Sequence, residues 1–183
     1  MMATSAGSLD VAAVSGGLLI VRLALGLPMA AHGTQKLFGW FGGYGVAGTA
    51  GFFEQLGFRP GKPFVVAASL SELTGGLLLA LGFLGPIGAA LVIAPMVVAM
   101  LTVHRGNYFF ASGNGIEVPY LYSAGAVALA FTGFGAASLD ALLGLAGLAS
   151  PALAAATLAA GVLGGLGTLV LRQPVAKSAE ARG

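Results

Sequence analysis

Two ionisable side chains lie inside long apolar stretches of this sequence, where a charge is costly. Arg22 lies at the middle of the stretch 11–31, and Glu72 lies close to the middle of 64–84. A charge at the centre of a bilayer costs at least roughly 2.5 kcal/mol on insertion scales. Successive membrane helices run antiparallel, so the two side chains can meet at one depth. We therefore expect Arg22 and Glu72 to form an ion pair that fixes helix register or to face a ligand.

A second set of polar residues lies at the ends of the apolar stretches. This histidine cluster consists of His32, Lys36, His104, Arg105, Glu117 and Tyr120. His32 and His104 end two stretches that run in the same direction, so they share a membrane depth. Three roles stay open for them: axial ligation of haem, hydrogen bonds to headgroups or loop carbonyls, and the lining of a small-ligand pocket. No other metal site is expected.

The composition requires lipid as the solvent. Of 183 residues, 57% are hydrophobic and 8% are charged, and the mean hydropathy is +0.95. Soluble domains carry roughly a quarter charged residues. The absence of cysteine excludes disulfides, thiolate metal sites and thiol exchange by this chain. A net charge of +2 is too small for a nucleic-acid-binding surface.

Apolar stretches predict an all-α, polytopic bundle that forms one domain over residues 1–183. A helix needs roughly 20 residues to cross a bilayer core of about 30 Å. The expected spans are 11–31, 64–84, 86–103, 118–133 and 151–171. The first is expected to be a mature span and not a cleavable signal, because no basic residue precedes it. The aromatic-rich segment 46–56 predicts a short interfacial helix.

Basic residues predict the orientation in the membrane. Threading five spans places these residues on one side: Lys36, Arg59, Lys62, Arg105, Arg172, Lys177 and Arg182. The opposite side holds Asp10 and Asp140. The positive-inside rule then predicts a plasma (inner) membrane protein with its N-terminus outside and its C-terminus in the cytoplasm. In the four-span alternative, 151–171 does not cross and both termini lie outside.

Two glycines of the last stretch are spaced for close helix contact. Gly161 and Gly165 are four residues apart, which allows either tight packing within the bundle or homo-oligomerisation. The lipid bilayer is the other expected contact of this helix.

An ordered succession of motifs resembles the DoxX family of small bacterial integral membrane proteins. The segments that carry the resemblance are 22–26 (RLALG), 32–33 with 36–39 (HG and KLFG), 72–76 (ELTGG), 104 with 107–110 (H and NYFF), and 133–140 (GFGAASLD). The resemblance covers about residues 18–143 and implies a four-helix membrane core. The stretch 151–171 would add a fifth, C-terminal span.

The resemblance also implies a redox role. Members of the family are associated with membrane oxidoreductase assemblies, and relatives form a subunit of thiosulfate:quinone oxidoreduction. The chain would then be an accessory subunit with redox-enzyme partners, no covalently bound cofactor, and a pocket near Arg22 and Glu72 for a quinone head. Two other functions stay open: a small-molecule transporter or permease, since intramembrane charge can line a substrate path, and a purely structural assembly subunit.

Overall fold

The structure is a computed structural model that describes residues 3–173, with side chains from residue 11 onward. Within that range the chain is all-α and has no strands. The helices are α1 (Ala3–Phe38), α2 (Gly45–Gln55), α3 (Gly61–Leu81), α4 (Ile87–Leu101), α5 (Glu117–Thr132), α6 (Leu139–Leu142) and α7 (Pro151–Val170). The all-α helical bundle expected from the sequence is confirmed.

Helix lengths separate the long spans from the short ones. Three helices of the described chain have the length and hydropathy of a membrane span: Val11–Phe38, Gly61–Leu81 and Pro151–Val170. α4 and α5 have 15 and 16 residues. At 1.5 Å per residue they extend about 22 Å and about 24 Å, which is less than the bilayer core of about 30 Å. A multi-pass membrane protein follows from these helices, while the five-span topology stays a prediction.

Backbone contact between α1 and α3 sets the register of the bundle. A Cβ atom added to Gly26 would lie 2.5 Å from the carbonyl oxygen of Gly76. One added to Gly33 would lie 2.6 Å from the carbonyl oxygen of Ser69. Both glycines are required because the antiparallel backbones touch at these points. α1 continues to Phe38, beyond the expected boundary at residue 31.

α7 packs along α4 and runs in the same direction. A Cβ atom on Gly161 would lie 2.6 Å from the carbonyl oxygen of Ala90, and one on Gly165 would lie 2.7 Å from that of Ala94. Both glycines are buried against α4. The expectation of close helix packing is therefore confirmed, whereas homo-oligomerisation through Gly161 and Gly165 is wrong, because α4 of the same chain occupies their face.

The bundle has two ends, which we name by their charged residues. The Lys36 end contains the C-terminus of α1, α2, the α4–α5 connection and the C-terminus of α7. Arg172, just after α7, is tied there because its Nε donates to the carbonyl oxygen of Leu56 at 2.8 Å. The Arg22 end contains the turn between α3 and α4 and the connection from α5 to α7.

Basic residues gather at the Lys36 end, as expected. Five of the six described basic residues lie there, namely Lys36, Arg59, Lys62, Arg105 and Arg172, and the sixth is Arg22. Asp140 lies at the Arg22 end. Lys177, Arg182 and the side chain of Asp10 lie outside the described residues.

Local sequence signals define several helix boundaries. The interfacial helix expected over 46–56 is α2, which covers Gly45–Gln55. The Oγ of Ser150 accepts a hydrogen bond from the backbone nitrogen of Leu153 at 3.2 Å, so this serine caps α7 with Pro151 in its first turn. Aromatic side chains around α2 are exposed, including Trp40 and Tyr44, which suits the membrane interface.

Candidate functional site

Arg22 does not pair with Glu72. Its side chain is 1% exposed and donates hydrogen bonds from Nη1 to the carbonyl oxygen of Phe134 at 2.9 Å and from Nη2 to that of Ala137 at 2.6 Å. The guanidinium carbon also lies 5.9 Å from the centre of the Phe134 ring. The ion pair expected from the sequence is wrong.

Helix register explains this error. The glycine contacts between α1 and α3 set Arg22 beside Gly82, where an added Cβ atom would clash with the Arg22 guanidinium. Glu72 lies ten residues earlier on α3, which is about 15 Å along the helix axis. The middles of the two apolar stretches are therefore at different depths, because the helices are staggered.

The Arg22 end is held together by a polar network, although the Nε of Arg22 is buried there without a hydrogen-bond partner in the described chain. Asp140 is 7% exposed, and its two carboxylate oxygens accept hydrogen bonds from the backbone nitrogens of Leu84 at 2.8 Å and Gly85 at 2.7 Å. Its own backbone nitrogen donates to the carbonyl oxygen of Gly82 at 3.0 Å. This aspartate ties the α5–α7 connection to the α3–α4 turn. A small cavity of about 270 Å³ lies beside it.

Glu72 pairs with Lys36 on α1. The Lys36 Nζ donates a hydrogen bond to Oε1 of Glu72, whose side chain is only 3% exposed. The second carboxylate oxygen, Oε2, is buried and has no hydrogen-bond partner within the described chain. A buried polar atom without a partner is uncommon in folded proteins and points to a functional site.

The Lys36–Glu72 pair lines a cavity of about 630 Å³ at the Lys36 end of the bundle. Its walls come from α1 to α5 and from α7. The polar side chains along it are His32, Lys36, Thr49, Ser71, Glu72, Thr102, His104, Tyr122 and Thr168. Most of the remaining lining is aliphatic or aromatic, with Phe52, Phe53, Phe58 and Phe64 on the α2–α3 side. An apolar cavity with a few convergent polar groups is typical of a small-molecule site.

Both histidines line this cavity. His32 packs its ring edge-on against Tyr122, with 6.1 Å between ring centres, and its Nδ1 lies 3.2 Å from Oε1 of Gln35. His104 donates from Nδ1 to the carbonyl oxygen of Asn114 at 2.8 Å, so a hydrogen bond to a loop carbonyl, one of its expected roles, is present. In the described residues no three His, Asp or Glu side chains are grouped as metal ligands. Haem ligation by the histidines stays untested.

Three members of the histidine cluster, Arg105, Glu117 and Tyr120, lie outside the cavity lining. Glu117 accepts a hydrogen bond from the backbone nitrogen of Ala111 at 2.8 Å, and Tyr120 packs edge-on against Phe109 with 5.9 Å between ring centres. Arg105 is exposed. These residues organise the α4–α5 connection.

Tyr122 belongs to the cavity, although Tyr120 was the tyrosine expected there. Both lie in the first turns of α5, but on different faces. Tyr122 follows the buried Pro119 by three residues and precedes the buried Ala126 by four. This helical spacing of buried residues is the sequence signal that identifies its face.

A proline in α4 shapes the cavity wall. Pro95 has no backbone N–H, so the carbonyl oxygen of Leu91 lacks its usual partner in the helix. Ser71 on α3 supplies a replacement, because its Oγ donates to that oxygen at 2.7 Å. The bond joins α3 to α4 where both line the cavity.

α7 closes one side of the cavity. Gly164, Thr168 and Leu171 form part of its lining. Just beyond them, the Arg172 guanidinium lies 5.7 Å from the centre of the Phe58 ring, and Phe58 is almost fully buried. The C-terminal helix is thus part of the candidate site.

Comparison with known proteins identifies the family. The family model described as DoxX matches residues 17–105, which include α3, α4 and the Lys36–Glu72 pair. Residues 17–105 belong to the DoxX family. The match ends before α5, so Tyr122 and α7 are contributions from outside the matched DoxX region.

A bacterial protein is similar to part of the chain. An uncharacterized protein of Haemophilus influenzae is 35% identical over 83 residues, which are 44% of this chain. The aligned part covers 62% of that relative, which is less than two thirds of its length. No solved structure matches the chain.

Proposed function

We propose that this DoxX protein is a membrane subunit of an oxidoreductase or electron-transfer assembly, and that its 630 Å³ cavity binds the head of a quinone-class ligand. The observation that carries the proposal is the ion pair of Lys36 with the buried Glu72 carboxylate on the wall of a largely apolar cavity. Charge in a membrane interior is retained where it serves a function. The pocket was expected near Arg22 and Glu72, and the cavity proposed here includes Glu72 but not Arg22.

The cavity fits a ring with polar oxygens. A quinone head carries two carbonyl acceptors on an apolar ring, and Lys36 and Tyr122 offer N–H and O–H donors in the cavity lining. Phe52 and Phe53 supply apolar surface for the ring and its hydrocarbon tail. When bound, a quinone supplies electron and proton transfer between its oxidised and reduced forms. The residues of this chain would orient the head and exclude water from it.

The orientation proposed for the membrane follows from charge. All described basic residues other than Arg22 lie at the Lys36 end, which we assign to the cytoplasm by the positive-inside rule. α7 begins at the Arg22 end and ends at the Lys36 end, which supports five crossings. The plasma (inner) membrane of a bacterium is the proposed location.

Reporter fusions test this orientation. A reporter after Gly183 is expected to be cytoplasmic, and one fused before Asp10 is expected to be external. With α7 the chain crosses the membrane five times, and an odd number of crossings places the two termini on opposite sides. Both reporters on the same side of the membrane would contradict the five-span topology.

Ligand retention tests the proposed function. The protein is purified in mild detergent from native membranes, and bound quinones are extracted and quantified by mass spectrometry. Wild type is expected to retain quinone, and Tyr122→Phe to bind it about tenfold more weakly, since one hydrogen bond is lost. Tyr120→Phe is the matched control and is expected to behave as wild type. Quinone at the level of an unrelated membrane protein would contradict the proposal.

The same purification separates the other functions. A redox enzyme that copurifies in stoichiometric amount supports the subunit role. If the protein purifies as a homo-oligomer, without another protein and without quinone, transport of a small molecule is favoured.

A further inference from the structure

We infer that the cavity prefers the reduced, hydroxyl-bearing form of its ligand head, a quinol, over the oxidised quinone. The inference rests on the proposed function and adds the redox state that the site selects. It follows from the hydrogen-bonding needs of one oxygen atom, Oε2 of Glu72.

Glu72 presents an acceptor that the protein leaves without a donor. Its side chain is 3% exposed, and Oε1 is engaged by Lys36. Oε2 is buried without a partner in the described chain, and the Glu72 side chain lines the cavity. An ionised carboxylate only accepts hydrogen bonds, so Oε2 is satisfied only by a group that donates one.

The two serine hydroxyls nearest to Glu72 along α3 are committed elsewhere. Ser69, one turn before Glu72 on α3, donates to the carbonyl oxygen of Val65 at 2.6 Å. Ser71 donates to the carbonyl oxygen of Leu91 at 2.7 Å. If Ser71 served Oε2 instead, the Leu91 carbonyl oxygen would be left unpaired, because Pro95 has no N–H to donate to it.

The two redox forms differ in the group that Oε2 needs. A quinol head carries two O–H donors, whereas a quinone head carries two carbonyl acceptors and no donor. Placing a quinone carbonyl next to Oε2 leaves both oxygens desolvated and unpaired, so the quinone binds less tightly. Lys36 does not discriminate, because its ammonium group has three N–H donors and can bond an oxygen of either form.

Direct binding measurements test the preference. The full chain in lipid nanodiscs is titrated anaerobically with a decyl-substituted benzoquinone and, separately, with the same compound after chemical reduction. The quinol is expected to bind about tenfold more tightly, the effect of one satisfied buried acceptor. For a two-electron couple, tenfold tighter binding of the reduced form raises the midpoint potential of the bound ligand by about 30 mV.

Variants assign the preference to Glu72. Glu72→Gln replaces the acceptor-only carboxylate with an amide that also donates, so the preference for the quinol is expected to disappear. The double variant Lys36→Met, Glu72→Gln removes both charges of the pair together. It is measured as well, because it has no unpaired buried charge that would destabilise the fold. Glu117→Gln, a carboxylate at the same end outside the cavity, is expected to keep the wild-type preference.

Each outcome bears on a different claim. Binding of neither form would overturn the proposed function and the inference with it. Equal affinity for both forms, or tighter binding of the quinone, would overturn the inference and leave the proposed function standing. A quinol preference that persists in both Glu72→Gln proteins would overturn the role of Oε2.

Discussion

Replacing Lys36 with Met is expected to destabilise the protein by about 3 to 5 kcal/mol, because it leaves the Glu72 carboxylate buried without its counter-ion. Glu72→Gln is expected to cost less, since the Lys36 side chain is 28% exposed and can extend its ammonium group to the interface. The double variant removes both charges and is expected to recover part of the loss. Thermal unfolding in detergent measures all four proteins as a double-mutant cycle.

A second cycle provides the control. Arg22→Met and Glu72→Gln are expected to be additive, because the two residues are separated by about 15 Å along the α1–α3 pair. Coupling between Arg22 and Glu72, together with additivity between Lys36 and Glu72, would contradict the structure and restore the pair that the sequence alone suggests.

Gly26→Ala is expected to destabilise the bundle by about 1 to 3 kcal/mol or more. The new Cβ atom would lie 2.5 Å from the Gly76 carbonyl oxygen and 2.6 Å from the Ala80 backbone nitrogen, so α1 and α3 must separate. Backbone atoms cannot rotate away as a flexible side chain can. The loss is measured as a lower midpoint of thermal unfolding.

Gly17→Ala is the matched control on the same helix. A Cβ atom there would meet nothing within 4 Å. Alanine forms helices better than glycine by about 1 kcal/mol, so this variant is expected to be neutral or slightly stabilised. Equal losses at both positions would mean that α1 does not contact α3 as described.

The sequence predicts helices well where the signal is local. The stretch 64–84 corresponds to α3 within a few residues, because hydrophobic length alone defines it. Ser150 and Pro151 mark the start of α7 because capping depends on adjacent residues. Such signals require no knowledge of the partner helix.

The choice of ion pair could not be predicted in this way. Glu72 can face either Arg22 or Lys36, and only the stagger between α1 and α3 decides between them. That stagger depends on glycines that must meet in space, such as Gly26 with Gly76. Among 31 glycines in the chain, the sequence does not show which ones touch.

The cavity itself is a further consequence of tertiary packing. It combines Lys36 from α1, Glu72 from α3 and Tyr122 from α5, which are far apart in the sequence. His32 and His104 were placed at this depth correctly, because topology alone sets the ends of helices that run in the same direction.

Photolabelling with a quinone that carries an azide on its ring tests the central claim most directly, because it locates the ligand in the chain. After irradiation in native membranes, the labelled peptides are identified by mass spectrometry. We expect labels on residues 52–64 and 94–104, which border the cavity at the Lys36 end, and expect excess unlabelled quinone to suppress them. Labels confined to residues 129–149, around the small cavity at the Arg22 end, would contradict the account.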